Sequence, residues 1–156
     1  MSYILRREQW IARPIDEVFA FFADAHNLEE ITPPWLGFKI LSMSTTSIEE
    51  GTTIRYRLRL HGITAHWRTG ICEWNPPRCF VDEQTKGPYK LWRHTHRFEA
   101  HGSRTKMIDE VQYSLPFGVL GRIVHAVKVR RDVSRIFDYR GLQIDALFGQ
   151  PGESAA

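Results

Sequence analysis

Cysteine is scarce. Cys72 and Cys79 are the only two in 156 residues, too few for a disulfide framework or a cysteine-based metal cluster. Long apolar runs are missing too: no stretch approaches the ~18 residues a membrane-spanning helix needs. The opening Met1-Ser2-Tyr3-Ile4 has neither the basic segment nor the apolar core of a signal peptide, which points to the cytosol. No nucleophile elbow, Walker loop, HExxH or dinucleotide fingerprint occurs, and the glycines fall at strand ends and turns instead. What remains is ordinary material for one folded domain. With 42% hydrophobic, 12% aromatic and 25% charged residues, the chain is too apolar and aromatic for disorder. A chain of this length buries roughly two thirds of the surface its unfolded form exposes. The expected organisation is one domain over residues 1–149, followed by a frayed tail, 150–156, that is small, polar and contains Pro151-Gly152.

The net charge of +3 is local. Arg122, Lys128, Arg130, Arg131, Arg135 and Arg140 outnumber Asp132, Asp138 and Asp145, and the rest of the chain carries 15 charges of each sign. A nucleic-acid surface would show a denser stripe with exposed aromatics or a motif, so no nucleic-acid partner is expected. The segment reads as a solvated helix face, with weak attraction to an anionic partner or membrane surface as the other reading.

Periodicity gives the elements. A strand is expected over about Tyr3 to Ile11, then a helix from Pro14 to about Asp24, with Asp16 and Glu17 in its first turn and Val18, Phe19, Phe21 and Phe22 as its apolar face. A second short helix, Asn27 to Ile31, stops at Thr32-Pro33-Pro34. The period then changes to two. Phe38, Ile40 and Ser42 share one face of a strand; Ile54, Tyr56, Leu58 and Leu60 alternate with Arg55, Arg57 and Arg59 on the next. His61-Gly62 turns the chain into a return strand with Ile63, Ala65, Trp67, Thr69 and Ile71 on one face and Thr64, His66, Arg68 and Cys72 on the other. Strands over Cys79 to Gln84, Lys90 to Glu99 and Ser103 to Ser114 follow, and about Val119 to Phe148 is helical. That helix changes phase: Leu120, Ile123, Val124 and Val127 point one way, and Val129, Val133, Ile136, Phe137, Ile144, Leu147 and Phe148 another, about 100° or more apart. A kink or loop near Lys128 is the preferred explanation. With no βαβ spacing, the fold class is α+β: a curved antiparallel sheet wrapped around the terminal helix, with two short helices after the first strand.

Burial cost then selects candidate residues. Trp92, His94, His96 and Phe98 share one strand face while Arg93 and Arg97 share the other, so the aromatic face and both histidines go inward. On the next strand Thr105, Met107, Asp109, Val111 and Tyr113 group inward, with Lys106, Ile108, Glu110 and Gln112 facing water. Arg140 falls between Ile136 and Ile144 on the helix stripe and points at the sheet. His94 and His96 read either as satisfied interior histidines or as ligand contacts. Metal binding is not expected, because two same-face histidines leave the third protein ligand unidentified. Asp109 either neutralises Arg140 or a histidine, or meets a ligand.

These patterns resemble a known family. Arg13-Pro14 with Val18-Phe19, Gly87-Pro88-Tyr89 followed by Trp92, His94 and Phe98, then Thr105 through Tyr113, Leu115-Pro116-Phe117-Gly118 and Phe137-Tyr139-Arg140-Gly141 are similar to the START-like helix-grip superfamily (SRPBCC), in particular its polyketide cyclase/dehydrase-like ligand-binding branch. The resemblance implies a deep cavity between sheet and terminal helix, used in relatives for lipids, polyketides, isoprenoids or other apolar molecules. It brings no shared catalytic set and no cofactor.

The leading functional expectation is binding or carriage of a small, largely apolar molecule by Tyr56, Trp67, Trp92, Phe98, Met107, Ile136 and the Phe19/Phe22 helix face, with His94, His96, Asp109, Tyr113 or Arg140 fixing a polar end. The alternative is a cyclase, aromatase or dehydratase with His94 or His96 as general base, Asp109 orienting it, and Tyr113 or Arg140 stabilising the oxyanion. A third reading is a protein- or membrane-interaction module using the basic helix and Leu120 to Val127, as a monomer or homodimer.

Overall fold

The alternating and helical periods resolve into one antiparallel sheet and four α-helices in a computed structural model that describes residues 1–149; the expected tail lies outside the described residues. In chain order these are β1 (Tyr3–Ile11), α1 (Ile15–Phe22), α2 (Asn27–Ile31), a 3₁₀ turn at Pro34–Leu36, β2 (Lys39–Met43), β3 (Thr53–Leu60), β4 (Ile63–Asn75), β5 (Cys79–Lys86), β6 (Leu91–His101), β7 (Arg104–Ser114), α3 (Gly118–Val124) and α4 (Arg130–Phe148). The seven strands run in the order β1-β7-β6-β5-β4-β3-β2, so the first strand closes one edge beside the last. This is the α+β helix-grip architecture. His61 and Gly62 make the β3–β4 turn with φ of 52° and 81°, the left-handed conformation that two-residue hairpin turns need.

Helix α4 buries Val133, Phe137, Arg140, Ile144 and Phe148, a stripe at spacings of three and four, and lies across the sheet's inner face. Polar bonds fix its position along β1: Gln9 Nε2 donates to Gly141 O at 2.8 Å and to Asp145 Oδ1 at 2.7 Å, and Arg7 Nε donates to Asp138 Oδ1 at 3.1 Å. The α1 face packs Val18, Phe19 and Phe22 with Phe80, Phe98, Met107 and Ile144 at one end of the fold. At the other, Val111 and Tyr113 meet Val133 and Phe137.

Three local expectations need correction. The break near Lys128 is a π-helical turn, His125–Val129, joining α3 to α4 without interruption. A π turn uses an extra residue and so rotates the apolar phase without a loop. In consequence Leu120, Ile123, Val124 and Val127 are exposed. Ser42 does not share a face with Ile40: an irregularity between Ile40 and Ser42 shifts the pairing with β3, leaving Ser42 exposed and Met43 half-buried. Ile108, on the outward face, is buried nonetheless, because Glu8 and Arg97 flank it in register with long side chains.

Candidate functional site

Between the inner sheet face and α4 the side chains leave a cavity of about 150 Å³. Tyr56 on β3, Trp67 on β4 and Trp92 on β6 form one wall, with Ile136, Phe137 and Arg140 of α4 opposite. The three sheet aromatics brace one another: Tyr56 stacks on Trp67 at 5.8 Å between ring centres, and Trp67 meets Trp92 edge-on at 5.3 Å. The Tyr56 phenol sits 3.4 Å from Thr69 Oγ1, and burial pushes its ionisation well upward, so it stays neutral.

The polar end comes from three neighbouring strands in register. Asp82 on β5 pairs with His94 on β6, and His96 pairs with Asp109 on β7, so two histidines and two carboxylates meet on the inner face. The imidazole rings lie 3.6 Å apart between centres. His96 also stacks on Phe80 at 4.1 Å, and His94 abuts Phe137 edge-on at 5.3 Å. His94 Nε2 is 2.8 Å from Asp109 Oδ1, and His96 Nε2 is 2.9 Å from Asp82 Oδ2. The second nitrogens are held less closely. His94 Nδ1 is 3.7 Å from Asp82 Oδ2. His96 Nδ1 is 3.2 Å from Asp109 Oδ1 but off the hydrogen-bonding direction, so it has no hydrogen-bond partner.

Burial and charge set the protonation states. Burial alone would raise the Asp109 carboxyl, but the bond from His94, the close approach of His96 and the Arg140 charge hold it well below the usual range. Asp82 is lowered against burial by the His96 bond and the same nearby cations. Both aspartates are therefore acceptors, and each histidine must donate from Nε2. Burial, reinforced by the neighbouring His96, lowers the affinity of His94 for a second proton. For His96 burial acts in the same direction, but the two carboxylates outweigh it and raise its pKa. The result is an asymmetric pair: His94 is the neutral ring with a lone pair at Nδ1, and His96 keeps its proton more firmly.

Arg140 completes the cluster. It is 8% exposed, its charge reaches both aspartates, and its Cζ lies 5.3 Å from the centre of the Phe137 ring, yet it makes no ion pair within 4.0 Å among the described residues. A separate surface cleft of about 390 Å³ between β1 and α4, lined by Gln9, Met107, Asp109, Arg140 and Gly141, approaches the same cluster from outside.

Of the residues singled out in the sequence, Tyr56, Trp67, Trp92, His94, His96, Ile136 and Arg140 stand on the cavity wall. Asp109 stands behind His94, facing the outer cleft. Phe98 and Met107 are sealed against α1, with Phe98 5.5 Å from both Phe19 and Phe22. Tyr113 lies among Tyr89, Trp92, Val133 and Phe137. Met107 and Tyr113 are off the wall because they stand on β7, outside the β3–β6 strands that line the cavity, and Phe98 because the α1 face covers it. The sequence reading missed Asp82; its one signal is the alternation Phe80, Asp82, Gln84. Asp82 also supplies the third group lacking for a metal: with His94 and His96 it offers ligand atoms all within 4.8 Å of one another, a set suited to a divalent transition ion, with Asp109 orienting the imidazoles from behind.

A family model described as polyketide cyclase / dehydrase and lipid transport matches residues 11–136. Comparison with curated proteins returns no significant match. Among solved structures, the chain is similar to CV1439 from Chromobacterium violaceum (TM-score 0.73, 14% identity, 94% of this chain and 98% of that one). It is also similar to the ZhuI aromatase/cyclase of Streptomyces sp. R1128 (TM-score 0.67, 16% identity, 99% and 100%). A third similar structure is norcoclaurine synthase from Thalictrum flavum, a point mutant in complex with a transition-state analogue (TM-score 0.66, 11% identity, 94% and 96%). At these identities the likeness shows the fold.

Proposed function

We propose, because this chain belongs to the polyketide cyclase / dehydrase and lipid transport family, that it is an enzyme transferring protons on a small, largely apolar carbonyl compound held in the inner cavity. The reaction class is cyclisation, aromatisation or dehydration. One observation carries this reading: a neutral histidine, fixed by a buried carboxylate, lies on the wall of an otherwise apolar cavity. Two structural relatives, an aromatase/cyclase and norcoclaurine synthase, are enzymes by name and support it. The enzyme reading thereby moves ahead of simple carriage.

Asp109 accepts the Nε2–H of His94 and leaves the Nδ1 lone pair as proton acceptor. His94 Nδ1 takes a proton from the carbon beside the ligand carbonyl; the C–H electron pair moves to the carbonyl oxygen as an enolate. The imidazolium so formed faces Asp82 Oδ2 at 3.7 Å, which lowers the energy of the charged state. In a dehydration the enolate then expels a β-hydroxyl, and His94 returns its proton to make water. Of the two groups expected to stabilise the oxyanion, Arg140 is on the wall and Tyr113 is not. Both His94 and Asp109 are positioned by strand register, which suits a site needing fixed geometry.

The test is exchange of the α-protons of cyclohexanone for solvent deuterium, followed by NMR. Wild type is expected to exceed the buffer rate, and His94→Gln to lose about 100-fold or more of that excess. A wild-type rate equal to buffer counts against the reading. Carriage without chemistry remains the second reading, favoured by one feature: every ring nitrogen of the pair faces a carboxylate, so the cluster is closed on itself.

A further inference from the structure

Four buried side-chain nitrogens lack a hydrogen-bond partner among the described residues: Trp67 Nε1, His96 Nδ1, Arg140 Nε and Arg140 Nη2. Among the described residues no buried side-chain oxygen is left unpartnered in the same way. All three residues line the inner cavity, and Arg140 lines the outer cleft between β1 and α4 as well. Buried polar groups go unpaired at a considerable cost, and more so when charged. Their concentration at one place, all of one chemical kind, marks a cavity suited to oxygen acceptors.

The two Arg140 atoms are the informative ones. Nε and Nη2 lie on one edge of the guanidinium, and their N–H bonds run parallel. That edge is the fork whose spacing the two oxygens of a carboxylate match. The side chain is 8% exposed, and arginine does not shed its charge by deprotonation, so the fork remains a buried cation until an acceptor arrives. The nearby aspartates do not fill it. Asp109 is committed to His94 and Asp82 to His96. Arg140 feels both charges but bonds to neither.

Size narrows the ligand. A dry cavity of about 150 Å³ accommodates benzene, and the cavity here is about 150 Å³. A lipid chain or a multi-ring polyketide would have to displace the Tyr56, Trp67 and Trp92 wall; a single ring does not. The ring would rest against those aromatics, with its acidic group at the Arg140 edge. Trp67 Nε1, a donor only, adds a place for a second oxygen on the same molecule.

We propose that the Nε–Nη2 edge of Arg140 binds the carboxylate of a single-ring organic acid in the inner cavity. This deepens the preceding reading and rests on its assignment of the cavity as the ligand site. That reading asks Arg140 to meet only charge that develops during reaction, whereas the unfilled fork calls for charge already present on the ligand.

The experiment compares benzoate with benzamide, equal in shape and different in charge, by isothermal titration and thermal shift on the full chain. Benzoate is expected to bind wild type about 10- to 100-fold more tightly than benzamide. Arg140→Met should abolish the preference while benzamide binding persists; Arg140→Lys, which keeps charge without the fork, should fall between. Equal or tighter benzamide binding to wild type overturns the proposal and leaves the cavity standing as the ligand site. Binding of neither molecule overturns the proposal and the cavity assignment together. The wild-type comparison needs no variant, so a misfolded Arg140→Met does not stop the test. In a benzoate-soaked crystal the carboxylate should lie within hydrogen-bond reach of Arg140 Nε and Nη2; a carboxylate bound elsewhere overturns the proposal.

Discussion

His94 and Asp109 are close enough, at 2.8 Å, that removing one leaves the other as an uncompensated buried group. Asp109→Asn should therefore destabilise the fold by about 3 kcal/mol in urea unfolding at pH 7. The pH dependence follows from the shifts. Asp109 is held below its unfolded carboxylate range, so its contribution is full above that range and is lost as pH falls through the lower, folded value. His94, also depressed, adds to the acid-side loss. His96 is raised above its ordinary value near 6.5; its contribution is present below that value and fades as pH rises through the folded one. Wild type should lose stability on both flanks. Asp109→Asn should flatten the acid limb between pH 6 and 3, and His96→Gln should remove the alkaline shoulder. Profiles from the variants parallel to wild type would contradict these assignments. At this scale the inward set was readable where alternation and the cost of burying Arg93 and Arg97 agreed. Asp82 was not, because Phe80 and Val81 are both buried and Asp82, Glu83 and Gln84 run together as polar residues.

The elements were readable wherever the period was clean. All seven strands and the two short helices lie within a few residues of the positions expected from the sequence. Local irregularities were not, since an extra residue at a bulge or a π turn changes phase just as a break does. Exposure now separates the two helical segments: Ile123 is 58% exposed on α3, whereas Phe137 on α4 is 6% exposed. Ile123→Gln should change unfolding stability by no more than about 0.5 kcal/mol. Phe137→Ala, which opens space beside His94, should cost about 3–5 kcal/mol. A large effect at Ile123 would mean that α3 is covered by something, and light scattering would show whether a second copy does so.

The whole molecule carries what no local pattern encodes. A cavity is the mismatch between the curvature of the sheet and the helix across it, summed over many side chains, so its volume could not be read from periodicity. No helix among the described residues is long and apolar enough to cross a membrane, and of the basic residues of α4, Arg130, Arg131 and Arg135 are exposed while Arg140 alone joins the buried cluster. Filling the cavity tests its role. Ile136→Trp should leave the protein folded with stability changed by less than about 3 kcal/mol and remove the thermal shift produced by benzoate. An undiminished shift would place the ligand elsewhere. The chemistry finally rests on one lone pair, that of His94 Nδ1, kept free by burial and by Asp109. ¹⁵N NMR of the histidine rings observes it without any substrate. At pH 7 His94 should show a protonated Nε2 and a bare Nδ1; a doubly protonated His94 ring, or a proton resident on Nδ1 alone, would contradict the base assignment.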